Sequence, residues 1–498
     1  MNMSHHIFGI HDIFKRNARL FPDKTATKDR HGTLSFKALF DRTNALANGL
    51  SNLGIAKNDR IAILSMNRND YLTLYGGAAA LGAIVVPINW RLSDSEINYI
   101  LKDASPQLLV TDKTQANRCD FSGKQACFDT EGPDTAIPFE ALLKEAVKTF
   151  PTPGNDDPFC LIYTAAIAGT PRGATLSHNN IISSNLQTAI AMALNPNDVY
   201  LNMLPLFHIT GINLAFSVMQ VGGGNVVMEK FDAPQALALT ERERITLMAS
   251  FPPILTTLLK TLETTPTDLS SLRIVTGIDA PETMLAFTQK TDSRFWALYG
   301  QSETSGFATL SDSAERPGSA GREGTISKVA ILDKNDMECP VDTMGEIGVR
   351  GPLVFQGFWD KGNLDRSSIR NGWHHTGDLG RIDPDGYLWF EGRKPEKELI
   401  KPGGENVYPA EVEAVIQEHP DIMACCVIGV PDPKFGEGVK AVCVKREDSP
   451  LTQPDLIEFV GNRIARYKKP SHVTFVQALP KDAQGKIDRN RVKALHSS

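Results

Sequence analysis

The residues best suited to chemistry lie in short polar motifs that follow apolar runs. The clearest is YGQSET, from Tyr299 to Thr304, which directly follows the strand-like run Phe295–Leu298 and carries an aromatic ring, hydroxyl groups and a carboxylate. Ligands of open α/β sheets usually bind outside the carboxyl ends of the strands. The motif therefore predicts a ligand site.

A second candidate is the segment YTAAIAGTPRG, from Tyr163 to Gly173. It follows a predicted buried strand and precedes cap-type residues at Ser177 to Asn180, so we expect a strand-to-helix loop. Its small residues would let backbone N–H groups approach an anion, and Arg172 would place a cation beside it. The Walker spacing is absent, and a tight surface turn is the alternative.

Alternating strands and helices are expected to position these motifs. Strand-like runs at Arg60–Leu64, Ala83–Ile88 and Gln107–Thr111 alternate with helical patterns at Phe36–Leu53 and Ser95–Leu101. Residues 199–208 are expected to form a strand that runs into a proline-containing loop, and further strands are expected near residues 245–249, 272–275 and 295–298. This alternation predicts βαβ units and a largely parallel sheet.

The pattern changes twice towards the end of the chain. From Gly345 to Gly392 it is all-β, with a turn at residues 383–386. The charged segment Lys394–Lys401 is expected to be exposed. Beyond it, a helix in YPAEVEAVIQEHP, strands in ACCVIGVPD and AVCVKRED and a helix over Pro454–Arg466 predict a small α+β domain.

Composition and charge limit the class of protein. The 498 residues are 41% hydrophobic and 22% charged, which is typical of a soluble globular α/β protein with about two to four folding units. A net charge of −6 shows no electrostatic footprint for nucleic acid, so no nucleic acid partner is expected. Seven scattered cysteines without a C-x-x-C pair favour a reducing, cytoplasmic compartment.

Neither a secretory signal nor a transmembrane segment is expected. The first residues lack a basic start followed by an apolar block. Two uncharged stretches, Tyr71–Trp90 and Val199–Met228, are interrupted by glycine and proline. We interpret both as buried helix-and-strand units.

Several motifs, taken in order, resemble those of the adenylate-forming superfamily of acyl- and aryl-CoA synthetases, peptide adenylation domains and luciferases. They are the loop at Tyr163–Gly173, PLFHITG at Pro205–Gly211, YGQSET at Tyr299–Thr304, TGD at Thr376–Asp378, GR at Gly392–Arg393, GGENVYPAEVE at Gly403–Glu413 and GKIDR at Gly485–Arg489. The resemblance spans almost the whole chain. It implies an α/β fold with a large N-terminal domain of mostly parallel sheets flanked by helices plus a β-rich subdomain (1–396), and a small mobile α+β C-terminal domain (397–498).

The resemblance also implies catalytic roles. Activating a carboxylate means displacing pyrophosphate at the α-phosphate of ATP, which mainly requires positioning and charge neutralisation. Glu303 would hold Mg²⁺ and Thr304 would donate to the α-phosphate. Lys486 would be the catalytic lysine that bridges the acid carboxylate and the α-phosphate.

Other residues would bind the nucleotide by the same resemblance. Asp378 would accept hydrogen bonds from the ribose hydroxyls, Arg393 would reinforce that contact and Tyr299 would pack on adenine. The phosphate loop would add Thr164, Gly169, Thr170, Arg172 and Gly173.

The remaining implied roles concern the acid and the thiol. His208 and Gly277 would border the acyl pocket. The loop Gly403-Gly404-Glu405-Asn406 would line a narrow tunnel for the pantetheine arm of CoA, where Gly403 and Gly404 allow close approach to backbone. Lys397 would be the hinge about which the C-terminal domain swings.

The phosphate loop departs from the family pattern. The family offers Thr-Ser-Gly-Thr-Thr-Gly, whereas this chain runs from Thr164 through Ala165, Ala166, Ile167 and Ala168 to Gly169. Each lost hydrogen bond to a charged group costs roughly 1.5 to 3 kcal/mol, or about ten- to a hundredfold in affinity. Either backbone donors and Arg172 still bind pyrophosphate, or turnover is impaired.

The leading hypothesis is an ATP-dependent acid:thiol ligase that makes an acyl-CoA through an acyl-AMP intermediate, with Mg²⁺, ATP and CoA. The acid would be a small fatty or aromatic molecule, because no acidic anchor for an amino group accompanies Phe207 or Ile209–Gly211. An enzyme that loads an acyl carrier protein and a catalytically impaired nucleotide-binding homologue are the alternatives. Whether the protein forms a homodimer is left open.

Overall fold

The computed structural model describes residues 7–143, 150, 153–164, 171–394, 399–481 and 487–497. Its helices are α1 Ile10–Leu20, α2 Phe36–Asn52, α3 Asn69–Leu81, α4 Asp94–Ala104, α5 His178–Ala191, α6 Ile209–Gln220, α7 Ala233–Arg242, α8 Ile254–Thr264, α9 Pro281–Thr291, α10 Pro409–Gln417, α11 Gln453–Gly461 and α12 Arg489–His496.

The strands of the first half are β1 Thr25–Asp29, β2 Gly32–Ser35, β3 Arg60–Leu64, β4 Ile84–Pro87, β5 Leu108–Thr111, β6 Lys124–Cys127, β7 Ile137–Pro138, β8 Pro158–Thr164, β9 Arg172–Ser177, β10 Val199–Asn202, β11 Gly224–Val227 and β12 Leu247–Ser250. The later strands are β13 Ile274–Gly277, β14 Arg294–Gln301, β15 Gly306–Asp312, β16 Arg322–Glu323, β17 Lys328–Leu332, β18 Gly345–Arg350, β19 Gly357–Asp360, β20 Asn363–Asp365, β21 Ile369–Arg370, β22 Trp373–Ile382, β23 Leu388–Arg393, β24 Ile422–Asp432, β25 Gly436–Lys445 and β26 His472–Phe475.

Two mixed nine-stranded sheets form most of the structure. In the first sheet β14, β13, β12, β10, β11 and β1 run parallel, and β15, β16 and β2 join the edges antiparallel. In the second, β8, β4, β3, β5, β6 and β7 run parallel, while β9, β19 and β20 continue one side antiparallel. Strands such as Ile84–Pro87 are wholly buried, as parallel strands covered on both faces require. The predicted α/β fold is confirmed.

The segment from Tyr163 to Gly173 connects two antiparallel strands, which corrects the predicted strand-to-helix loop. Its flanks pair with each other as β8 passes into β9. Helix α5 begins only after β9, with Ser177 as its N-cap. The run Arg172–Ser177 is too short to show a strand period by itself, and its pairing with β8 makes it a strand.

One hydrophobic cluster joins the two sheets through the helices between them. The rings of Tyr75 in α3, Phe159 in β8 and Phe216 in α6 lie 5.5 to 5.9 Å apart. Both uncharged stretches of the sequence belong to this core, the first as α3 and β4 and the second as β10, α6 and β11. Among the described residues, no helix is long and apolar enough to cross a membrane.

The rest of the chain forms two smaller sheets. Strands β17, β18, β22, β21 and β23 make a five-stranded sheet, as the all-β pattern predicts. Strands β24, β25 and β26 make a three-stranded sheet with its own buried cluster that includes residues of α10 and α11. Helix α11 ends at Gly461 rather than at Arg466 as predicted. The domain boundary at 396/397 lies among residues outside the described part of the chain and stays a prediction.

Candidate active site

A cavity of about 1070 Å³ opens at the carboxyl ends of the parallel strands of the first sheet. Its walls come from the ends of β10, β12, β13 and β14, from β22 and β23, and from the loop at residues 403–406. This is the position at which a doubly wound sheet binds ligands. The cavity brings together motifs that lie more than a hundred residues apart in the sequence.

Asp378 is the centre of a polar cluster in one wall. Its buried carboxylate accepts hydrogen bonds from the hydroxyl of Tyr299 at 2.8 Å and from Nε2 of Gln301 at 2.7 Å. Its other oxygen lies 2.8 Å from Nε of Arg393, which stands opposite Asp378 in the β22–β23 register. Burial and the neighbouring Asp378 raise the pKa of Tyr299 well above its usual range. The three predicted nucleotide residues therefore form one group.

The YGQSET motif is partly strand and partly turn. Tyr299 to Gln301 continue β14, and residues 302–304 form a single 3₁₀ turn. Thr304 is buried in that turn, where its hydroxyl donates to the carbonyl of Gly306 at 2.8 Å and accepts from the N–H of Gln301 at 2.9 Å. Thr304 is not among the residues that line the cavity. Its predicted contact with the α-phosphate stays a prediction.

Glu303 lines the cavity and is partly exposed. Tyr408, at the start of α10, lies close enough that burial and the charge of Glu303 together raise its pKa. In the described part of the chain, no group of three or more His, Cys, Asp or Glu side chains could hold a metal ion. A single carboxylate fits Mg²⁺ that is held mainly by substrate phosphates.

Only the flanks of the phosphate loop lie in the described residues. Thr164 and Arg172 line the cavity. The guanidinium of Arg172 pairs with Asp365 and lies 3.9 Å from the ring centroid of Phe358. Gly173 is buried, and a Cβ there would lie 3.2 Å from the ring of Tyr163, so this glycine serves packing. Two other predicted positions, Gly169 and Thr170, lie outside the described residues.

Large apolar side chains also line the cavity. Phe231, Phe251 and Met284 line it beside the predicted residues His208 and Gly277. Gly277 has φ +145°, and a Cβ at this position would lie 1.8 Å from the carbonyl oxygen of Ser250 in β12. The glycine lets β13 end against β12 and leaves the space open.

A loop from the C-terminal region closes one side of the cavity. Gly403 and Gly404 line it with φ of +58° and +85°, a backbone region that favours glycine. The next residue, Glu405, is buried and accepts hydrogen bonds from Arg91 and from Asn89 at 3.2 Å. Its Oε2 lies 3.4 Å from Nε2 of His208.

The charge of Glu405 is stabilised by these partners. Burial opposes its ionisation, but His208 and Arg91 outweigh that effect and lower the pKa of Glu405 to about 2. Sequence reasoning assigned no role to Arg91, and it named Glu405 only as part of the loop at residues 403–406 that would line the pantetheine tunnel. The one sequence feature that pointed to this ion pair was the charged Glu405 inside the GGEN motif.

The structure corrects one prediction, and it adds Lys401 and Gln301 to the site in addition to Arg91. The segment Lys394–Lys401 was expected to be exposed, yet Lys394 pairs with Glu346 at 2.8 Å and Lys401 lines the cavity. Burial lowers the pKa of Lys401 to about 8, and the nearby Arg393 acts in the same direction. Gln301, which binds Asp378, was also missed. Lys397 and Lys486 lie outside the described residues.

Comparison with known proteins gives the family. Residues 14–359 match the profile described as AMP-binding enzyme, and residues 411–486 match the AMP-binding enzyme C-terminal domain. An indoleacetate–CoA ligase of Aromatoleum aromaticum is 34% identical over 495 residues, 96% of each chain. A long-chain-fatty-acid–CoA ligase of Mycobacterium tuberculosis is 32% identical over 92% of this chain and 93% of its own.

Solved structures of one relative also indicate the arrangement of the chain. A double mutant of o-succinylbenzoate-CoA synthetase from Bacillus subtilis, bound to a product analogue, superposes with a TM-score of 0.85 at 28% identity, covering 97% of this chain and 98% of its own. The structure of the same enzyme with its acyl-adenylate intermediate superposes with a TM-score of 0.69 at 28% identity, covering 97% of each chain. This chain is thus arranged more like the complex with the product analogue. By sequence and by structure it belongs to the family of AMP-binding enzymes.

Proposed function

We propose that this acid–thiol ligase makes an acyl-CoA entirely within the cavity described above, first forming an acyl adenylate from ATP and then transferring the acyl group to CoA. The observation that carries the proposal is the composition of the walls. One cavity contains the Asp378 cluster, Glu303, large apolar side chains and the glycine loop at residues 403–406. An acyl adenylate placed across it would reach all of them.

The residue roles follow from position and charge. Asp378 and Arg393 would bind the ribose, and Glu303 would share Mg²⁺ with the phosphates. Lys486 is proposed to neutralise charge at the α-phosphate and the acid carboxylate. The glycine loop would let the thin pantetheine arm pass close to backbone.

The acid is proposed to be fatty or aromatic. Phe231, Phe251 and Met284 offer it apolar surface and no fixed charge. The similar proteins named above act on indoleacetate and on long-chain fatty acids. Burial of apolar surface contributes about 25 cal/mol per Å², so an acid with a large apolar group would bind best.

Incubation with Mg-ATP and a panel of fatty and aromatic acids, with and without CoA, tests the proposal by mass spectrometry. We expect acyl-AMP without CoA, conversion to acyl-CoA after CoA is added, and loss of acyl-AMP in Lys486→Ala. Transfer to a carrier protein but not to free CoA would favour the carrier-loading alternative.

The altered phosphate loop supports a second candidate, a nucleotide-binding homologue with impaired turnover. The alanines at 165, 166 and 168 supply no side-chain hydroxyl for the β- and γ-phosphates. Binding of ATP or AMP with no acyl-AMP from any acid would establish this candidate and exclude the ligase.

A further inference from the structure

One buried lysine joins two regions that are distant in the sequence. Lys468, which follows α11, is 1% exposed. Its Nζ lies 2.5 Å from Oε1 of Glu96 in α4 and 2.8 Å from Oε2 of Glu411 in α10. Glu96 belongs to the second large sheet region, whereas Glu411 belongs to the C-terminal region together with Lys468.

Each glutamate is held in place by the start of its own helix. Oε2 of Glu96 accepts the N–H of Ser93 at 2.7 Å, and Oε1 of Glu411 accepts the N–H of Tyr408 at 2.9 Å. Both are therefore third residues of capping boxes. This leaves one carboxylate oxygen of each helix start free to accept from the ammonium group.

Neighbouring residues fix the same segment on α4. The N–H of Ala465 donates to Oε2 of Glu96 at 3.2 Å. Ala465 is buried in a cluster with Leu92 and Ile97, and Tyr467 packs against that cluster. The segment 465–468 thus carries both apolar and charged contacts across the junction.

The charges of Lys468, Glu96 and Glu411 favour the arrangement in which the segment 465–468 lies on α4. Burial lowers the pKa of Lys468, but Glu411 and Glu96 outweigh burial and the net pKa is raised. If the segment left α4, Lys468 would keep Glu411, and Glu96 would keep only its helix cap. Removing one partner from a buried ion pair leaves an uncompensated charge, so this pair strongly favours the docked arrangement.

We propose that Glu96 and Lys468 are positioning residues for the CoA-dependent step. By holding residues 465–468 on α4, they keep the C-terminal region where the loop at 403–406 lines the cavity and Glu405 meets Arg91. The inference rests on the proposed function, because it assigns these residues to its second step. Neither Glu96 nor Lys468 is among the described residues that line the cavity.

Half-reactions measured separately test the assignment. In Glu96→Gln, capture of preformed acyl-AMP by CoA should slow about tenfold or more, since a buried charge pair loses one charge. Acid-dependent ATP–pyrophosphate exchange should stay within about twofold. Lys468→Met should show the same pattern as Glu96→Gln. Lys468→Arg, which keeps the positive charge, should retain most of the wild-type capture rate.

Two control variants separate docking from general effects. Ser93→Ala weakens the α4 cap but keeps the charge of Glu96, and Glu418→Gln removes an exposed carboxylate elsewhere in the C-terminal region. Both should leave capture within about twofold. Equal loss of both half-reactions in Glu96→Gln, or no loss in either, would overturn the proposal.

Hydrogen exchange supplies a readout that needs no substrate. The amide of Ala465 should exchange about tenfold faster in Glu96→Gln, because its acceptor and the docking contact weaken together. Unchanged exchange would refute the docking role even in an active enzyme. If the wild type forms no acyl-AMP, the proposed function fails, and the exchange experiment alone decides whether this pair docks the segment.

Discussion

At the scale of single residues, several cations that line the cavity are already paired with protein carboxylates. Arg172 is bound by Asp365, and Arg393 is bound by Asp378. A substrate phosphate that binds Arg172 would therefore compete with Asp365, and a ribose bound at Asp378 would meet the Arg393 pair. The Arg172 pair is about one-third exposed on both sides, so its contribution is modest and it is the easier to displace.

Releasing Arg172 should improve the use of ATP. In Asp365→Asn we expect kcat/KM for ATP to rise about two- to fivefold, because an exposed pair of this kind contributes up to about 1 kcal/mol. ATP–pyrophosphate exchange at saturating acid measures the change. The same substitution in an Arg172→Ala background should have no effect, and a decrease in the wild-type background would contradict the prediction.

The lowered pKa of Lys401 predicts that the stability of the folded protein rises with pH. Its pKa is lowered to about 8 in the folded protein from 10.5, so between these values the unfolded chain binds more protons and stability rises with pH. The penalty for burying its charge is fully present below pH 8. Lys401→Met should therefore raise the melting temperature at pH 7, and the gain should shrink as pH increases from 8 to 10.5. A gain that is independent of pH would exclude charge burial as its cause.

At the scale of elements, the sequence predicted helices and strands correctly where a segment is long enough to show a hydrophobic period. Strands β3, β4 and β5 and helix α2 match their predicted runs to within two residues. Strand β9 was not predicted, because its short sequence shows no strand period and does not reveal that it pairs with β8. Lys401 was judged exposed from a charged segment, whereas it is half-buried in the cavity wall, where the distant Glu437 accepts its backbone N–H at 2.7 Å.

The end of β13 should not tolerate a side chain at position 277. Gly277→Ala would place a methyl group 1.8 Å from the Ser250 carbonyl oxygen at a φ of +145°. We expect a loss of about 2 to 4 kcal/mol in the free energy of unfolding, measured by urea denaturation. Gly362→Ala, with φ +95° but nothing within 4 Å, should lose only about 1 kcal/mol. Equal losses would show that backbone strain alone matters.

At the scale of the whole molecule, the arrangement of the C-terminal region could not be predicted from the sequence. Lys468 and Glu96 are 372 residues apart, and a lysine in YKKP has no periodic signal that would mark it as buried. The order of motifs predicted the family and three residues of the Asp378 cluster, Tyr299, Asp378 and Arg393, but not Gln301. The contacts that join the regions emerge only in three dimensions.

Magnesium should act on the ligand complex rather than on the free protein. A chelator should leave the melting temperature of the ligand-free protein unchanged, because one carboxylate at Glu303 binds Mg²⁺ weakly without phosphates. ATP at a hundred times its Kd should stabilise by about 2.7 kcal/mol with Mg²⁺ and by much less without it. AMP serves as the control, with a smaller dependence on the metal. A large shift on chelation alone would indicate a separate metal site.

The walls of the cavity come from separate parts of the fold. Phe231, Phe251 and Met284, proposed here to contact the acid, lie outside the strands β22 and β23 that hold Asp378 and Arg393. If these roles hold, mutations at the three apolar positions would change which acid is accepted and leave the proposed nucleotide site unaltered.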